Sequence, residues 1–108
     1  MSDTKLPFRV LLSTAPRGKA QALARGLVES RLAACVNILP GAMSHYRWKG
    51  RLRRERESLL VIKTRASRIA ALERWLKAHH PYDLPELLAL PVAAGSVAYL
   101  GWLDQETR

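Results

Sequence analysis

The chain has 108 residues, with 18 Lys+Arg against 9 Asp+Glu, 48% hydrophobic and 25% charged residues. That is enough apolar side chain to order one modest core, which argues against intrinsic disorder and against two independent domains. The longest near-apolar run, residues 87–94, contains Pro91 and falls well short of the roughly 20 residues a membrane-spanning helix needs.

The first residues hold Asp3 and Lys5 and no long apolar stretch, so no secretory leader is expected, and residues 1–7 are expected to be flexible. Cys35 is the one cysteine, which excludes an intramolecular disulfide and points to a reducing, cytoplasmic setting. The formal charge of +9 fits a polyanionic partner, and equally a solubilising surface of an Arg- and Ala-rich composition.

Residues 8–14 are short and rich in Val and Leu, the pattern of a buried strand. Pro16, Arg17 and Gly18 mark a turn, after which Ala20, Leu23, Ala24, Leu27 and Val28 recur with helical spacing on one apolar stripe. Gly26 inside this helix costs about 1 kcal/mol against Ala, which suggests close packing at that point. A second strand is expected over 33–39, with Pro40-Gly41 breaking or bulging it. Residues 44–48 then alternate, with Ser44, Tyr46 and Trp48 on one side. Lys49-Gly50 suits a hairpin turn, and a third strand runs to about Arg65, making an unusually long hairpin.

Ser67 is a candidate N-cap for a helix striped by Ile69, Leu72 and Leu76 and closed by His79. Pro81 and Pro85 stiffen the loop after it. A last strand is expected over 87–92 and a short helix over 97–103. The order strand, helix, strand, strand, helix, strand predicts an α+β, ferredoxin-like βαββαβ sandwich, with residues 1–108 as one domain. That fold hosts many functions, so chemistry must come from particular side chains.

Several chemistries find no residues here. Gly-rich phosphate loops, Cys-x-x-Cys and Gly-x-Ser-x-Gly are all missing, and one Cys with three His does not make a closed zinc site. No nucleophile, base and oxyanion donor can be assembled, so an enzyme is not expected. Three Trp, three Tyr and one Phe are few, and the basic strand lacks the interleaved aromatics that stack bases.

His79 and His80 are either copper or zinc ligands, most easily in a site completed by a second chain, or a cap and a backbone-bonded loop residue. Glu57 and Lys63 share one strand face by parity, forming a pocket or interface pair, or a solvated face. Residues 47–56 hold Arg47, Lys49, Arg51, Arg53, Arg54 and Arg56 against Glu55. Edge protection is the preferred reading of this run over a polyanion footprint.

The ordered set of Ser13-Thr14-Ala15-Pro16, Leu32-Ala33-Ala34-Cys35-Val36-Asn37, Tyr46-Arg47-Trp48-Lys49-Gly50, Glu57, Lys63-Thr64, His80-Pro81-Tyr82-Asp83-Leu84-Pro85-Glu86, Tyr99 and Trp102 resembles the CutA family of divalent-cation tolerance proteins. The resemblance spans residues 10–102. It implies a ferredoxin-like subunit in a PII-like homotrimer whose long hairpin reaches neighbouring subunits. It also implies a link to tolerance of copper and other divalent cations.

By the same resemblance His79 and His80 fall in the region given to metal ligands, with Cu2+ the favoured ion. Some members carry Cys where this chain has Ser13, and relatives are often acidic where it has Arg51, Arg53 and Arg54. The expected function is therefore a trimeric, non-enzymatic copper-binding tolerance protein. The alternative is a PII-like sensor of a small molecule held in inter-subunit clefts lined by Trp48, Glu57, Lys63, Tyr82, Glu86 and Trp102. Neither a membrane nor a nucleic-acid partner is expected.

Overall fold

The computed structural model describes residues 6–108, so the expectation for the first residues falls outside it at positions 1–5. Strand β1 (Phe8–Ala15) alternates: Leu11, Ser13 and Ala15 are buried, while Val10, Leu12 and Thr14 turn to the other face. Helix α1 (Ala20–Glu29) buries Ala20, Leu23, Ala24 and Leu27 as the period requires, whereas Val28 at the stripe's margin is exposed. Its end is a two-bond reversal, with Arg31 N donating to Val28 O and Leu32 N to Leu27 O, each at 3.0 Å. That reversal needs a left-handed residue, usually glycine, and Arg31 fills it at φ 61° while Leu32 returns to pack in the core with Leu27.

Strands β2 (Cys35–Trp48) and β3 (Arg51–Arg65) form the long hairpin. Pro40-Gly41 bulges β2 without ending it: the register shifts between Leu39 and Ala42, and Gly41 takes φ +79°. At the turn both Lys49 and Gly50 have positive φ, the combination a tight type I′ hairpin demands. A short 3₁₀ turn (Ala66–Arg68) leads into helix α2 (Ile69–His79). Ser67 therefore lies inside that turn and makes no cap hydrogen bond. This corrects the expected N-cap, because the 3₁₀ turn starts the helix ahead of the apolar stripe. Strand β4 (Leu88–Pro91) is a little shorter than expected.

Helix α3 (Val97–Glu106) is capped by Ser96, whose Oγ accepts from Tyr99 N at 3.1 Å. It runs past the expected end at 103 because Arg65 and Arg68 both donate to Thr107 O, at 2.8 and 2.7 Å, neutralising the helix C-terminus.

The sheet is antiparallel throughout, in the order β2-β3-β1-β4, as the expected sandwich requires. Leu11, Leu60 and Ile62 from the sheet pack with Leu23 and Leu27 of α1 and Leu72 and Leu76 of α2. The opposite face carries Leu12, Leu59, Val61, Leu88 and Leu90, and α3 covers only its end at Phe8, where Leu103 and Leu100 pack. No helix among the described residues is long and apolar enough to cross a membrane.

Candidate functional site

The loop following α2 is tied down at both ends. His80 is buried; its Nε2 donates to Thr14 O at 2.7 Å and its Nδ1 accepts from Tyr82 N at 3.1 Å, which fixes the tautomer. Ser13 Oγ donates to Glu86 O at 2.7 Å. With Pro81 and Pro85 restricting the backbone between, the loop is a rigid shelf on β1. It presents Tyr82, whose Oη donates to Glu57 Oε2 at 2.7 Å. Glu57 is only 6% exposed.

Between this shelf and the hairpin lies a cleft of about 880 Å³, walled by Tyr46, Trp48 and Glu57 on one side and Tyr82, Glu86 and Leu88 on the other. Its electrostatics follow from shared burial of acids. Burial, then the hydrogen bond to Glu57, raises the Tyr82 phenol well above its ordinary range, so it serves as a donor. The Tyr46 phenol is raised too, chiefly by donating to Glu55 Oε1 at 2.9 Å. Burial first, and the Glu57 charge second, raise the Glu86 carboxyl above its ordinary 4.5. Carboxylates, phenols and an indole face together suit recognition of a small polar molecule.

Glu86→Gln is expected to stabilise the protein at neutral pH. The native carboxyl binds its proton at a pH where the unfolded one is still ionised. Stability from this group therefore rises as pH falls through the native value and levels off below 4.5. The advantage of the Gln variant should shrink over that window in paired urea titrations. A difference independent of pH would contradict the assignment.

Of the residues expected in the cleft, Trp48, Glu57, Tyr82 and Glu86 are brought together, and Lys63 and Trp102 are not. Glu57 and Lys63 do share the open face, but six residues of extended strand separate them by about 20 Å. Lys63 Nζ instead donates to Asn37 Oδ1 at 2.6 Å. Trp102 packs beside Tyr99 on α3, ring centroids 5.4 Å apart. The sequence reading missed the anchoring roles of Ser13 and Thr14 and the place of Glu55. Counting outward from the Lys49-Gly50 turn would have set Glu55 opposite Ser44, in the cleft wall.

His79 and His80 turn to different partners. His79 Nδ1 bonds Trp75 O at 2.7 Å, and its ring stacks on the Trp75 indole with centroids 4.0 Å apart. Both His80 nitrogens are engaged as described. Among the described residues no three His, Cys, Asp or Glu side chains gather to hold an ion. The donor set within one chain therefore does not fit a closed metal site.

Comparison with known proteins matches residues 9–106 to the family described as CutA1 divalent ion tolerance protein. The divalent-cation tolerance protein CutA of Pectobacterium atrosepticum is 51% identical over 110 residues, covering 100% of both chains. The chain spans about three fifths of the length of the chloroplastic CutA proteins of rice and Arabidopsis, 61% and 59%. Among solved structures, the divalent cation tolerance protein of Thermus thermophilus superposes with TM-score 0.91 at 46% identity, covering 94% of this chain and 99% of that one. The PII-like protein CutA from Nostoc gives TM-score 0.87 at 33% identity, covering 93% and 97%. CutA from Synechococcus elongatus complexed with a Bis-Tris molecule gives 0.86 at 43%, covering 95% and 96%. The cleft and its rigid shelf thus sit on the fold of these proteins, and the chain belongs to the CutA1 divalent ion tolerance family.

Proposed function

We infer that this chain is a PII-like sensor that assembles as a homotrimer and takes a small polar molecule in the cleft between its hairpin and its proline-stiffened loop. The cleft carries this reading: a rigid, half-enclosed volume of about 880 Å³ lined by an indole, two phenols and the four carboxyl groups of Glu55, Glu57, Asp83 and Glu86. A relative of the same fold holds Bis-Tris, a small polar amine. Trimerisation is supported by the apolar open face of the sheet, which adjoins the cleft at Leu88. In the trimer, Lys63 and Trp102 reach the cleft from a neighbouring subunit. The protein acts by binding rather than catalysis, with Tyr82 held as a protonated donor. It works in the cytoplasm.

Divalent cations enter this reading as a second class of ligand. Their point of attachment is His79, whose Nε2 has no hydrogen-bond partner among the described residues. Copper(II) leads the affinity order at such an imidazole. Thermal shift and Cu(II) calorimetry test the two classes separately. Small polar amines should raise the melting temperature of the native protein and not of Glu57→Gln or Trp48→Ala. His79→Ala should weaken Cu(II) binding, and His80→Ala should not, provided it folds. A shift produced by Cu(II) alone, lost only when both histidines are replaced, would transfer the function to metal binding.

A further inference from the structure

The cleft runs against the charge of the chain. The sequence holds 18 Lys+Arg and 9 Asp+Glu, yet Glu55, Glu57, Asp83 and Glu86 all line the cleft, with Arg53 the one Lys or Arg among its walls. Outside it, Glu29, Glu73, Asp104 and Glu106 each form an ion pair. Among the described residues, none of the cleft acids does. A basic protein thus keeps its unpaired acids together in one place.

Glu57 shows what is missing there. The residue is 6% exposed, and a carboxylate so buried is held at a penalty unless a cation meets it. Its Oε2 accepts from Tyr82 Oη at 2.7 Å, while Oε1 accepts no hydrogen bond among the described residues. No side-chain oxygen sealed from solvent among them lacks a partner, so Oε1 opens on the cleft that Glu57 lines. Glu57 stands where β3 joins the sheet, one residue from Ser58 opposite Ala15 of β1, so its place does not depend on the end of the hairpin. Arg53 lies four residues, about 13 Å, along the strand and pairs with no acid. Lys63 of the same chain donates to Asn37.

The missing charge is not a bare metal ion, because among the described residues no three His, Cys, Asp or Glu side chains converge on one point. An anion would be repelled. A cation of molecular size fits both the charge and the volume: an ammonium group brings N–H donors to the carboxylate, and the rest of the molecule lies among the phenols and the indole. We propose, resting on the reading of the cleft as a ligand site, that its occupant is an organic cation, a protonated amine whose N–H donates to Glu57 Oε1.

The test pairs each amine with a neutral twin of its shape: tris(hydroxymethyl)aminomethane with tris(hydroxymethyl)ethane, and ethanolamine with 1-propanol. Thermal shift of the native assembly near neutral pH, at matched ionic strength, gives apparent affinities. Within a pair the amine should bind about tenfold or more tighter, the ratio expected for a hydrogen bond to a charged group. In Glu57→Gln that ratio should fall to about twofold or less. The carboxyl-carbon NMR resonance of Glu57 in the native protein should move with the amine and not with its twin, which keeps the test valid should the variant fold poorly. Lys63→Gln removes the ammonium that the trimer brings to the cleft from a neighbouring subunit, so it should tighten amine binding. Equal affinity for amine and twin, lost together in Trp48→Ala, would keep the cleft as a ligand site and overturn the cation. Equal falls in melting temperature for Glu57→Gln and Lys63→Gln, with the amine ratio unchanged, would assign the carboxylate to an ion pair between subunits and overturn it as well. Absence of any shift with either pair would overturn both the cation and the ligand site.

Discussion

Leu88→Arg combined with Leu90→Arg is expected to convert the proposed trimer into monomers. Both residues lie on β4 with their side chains on the open face of the sheet, opposite Leu12 and Val10 in register. In the isolated chain they are 58% and 48% exposed, so arginine there is solvated and the subunit should fold. In the trimer the same guanidiniums would be driven into an interface shaped for leucine, a cost of several kcal/mol for each charge left unpaired. Symmetry repeats each change in every subunit, and each 1.4 kcal/mol is a tenfold change in association. Sedimentation at micromolar concentration should give one species of three chains for the native protein and one of a single chain for the variant, with equal far-ultraviolet dichroism. Equal masses for the two would remove this face from the interface. Because Leu88 also walls the cleft, loss of the trimer should reduce small-molecule binding as well.

Gly26→Ala should destabilise the protein, against the ordinary preference of a helix interior. Exchange of Gly for Ala in a solvated helix gains about 1 kcal/mol. Here a Cβ on Gly26 would run into the ring atoms of Trp75, so α1 and α2 would have to separate or the indole turn from its place on His79. Overpacking of this kind costs about 1–3 kcal/mol, enough to reverse the sign. A double-mutant cycle isolates the cause: in a Trp75→Leu background Gly26→Ala should recover the ordinary gain. If the penalty persists without the indole, the close approach of the two helices is not its source. A full set of unfolding curves by urea would read each corner of the cycle.

How far the chain's own order of residues determined its structure shows in particular elements. The stripe Ala20, Leu23, Ala24, Leu27 specified α1 and its buried face, since helical periodicity is a property of neighbours in sequence. Pro40-Gly41 and Lys49-Gly50 specified the bulge and the turn, because φ preferences act on single residues. The βαββαβ order then left little choice of topology, and the sheet order β2-β3-β1-β4 agrees with it.

The site was legible only in part. Trp48, Glu57, Tyr82 and Glu86, expected from the sequence to line a cleft between subunits, line one cleft within the single chain. Parity puts Glu57 and Lys63 on one strand face, but the six residues between them span about 20 Å of extended strand, more than one pocket bridges. The adjacent His79 and His80 show the limit most plainly. Their identities mark both as possible ligands; only the tertiary structure turns one ring onto Trp75 and buries the other between Thr14 and Tyr82. Sequence determined which side chains the chain could offer and on which face of each element they stand. Tertiary packing decided which of them keep a free polar atom, because a hydrogen bond between residues 14 and 80 depends on how a strand and a distant loop come together, and no local pattern encodes it.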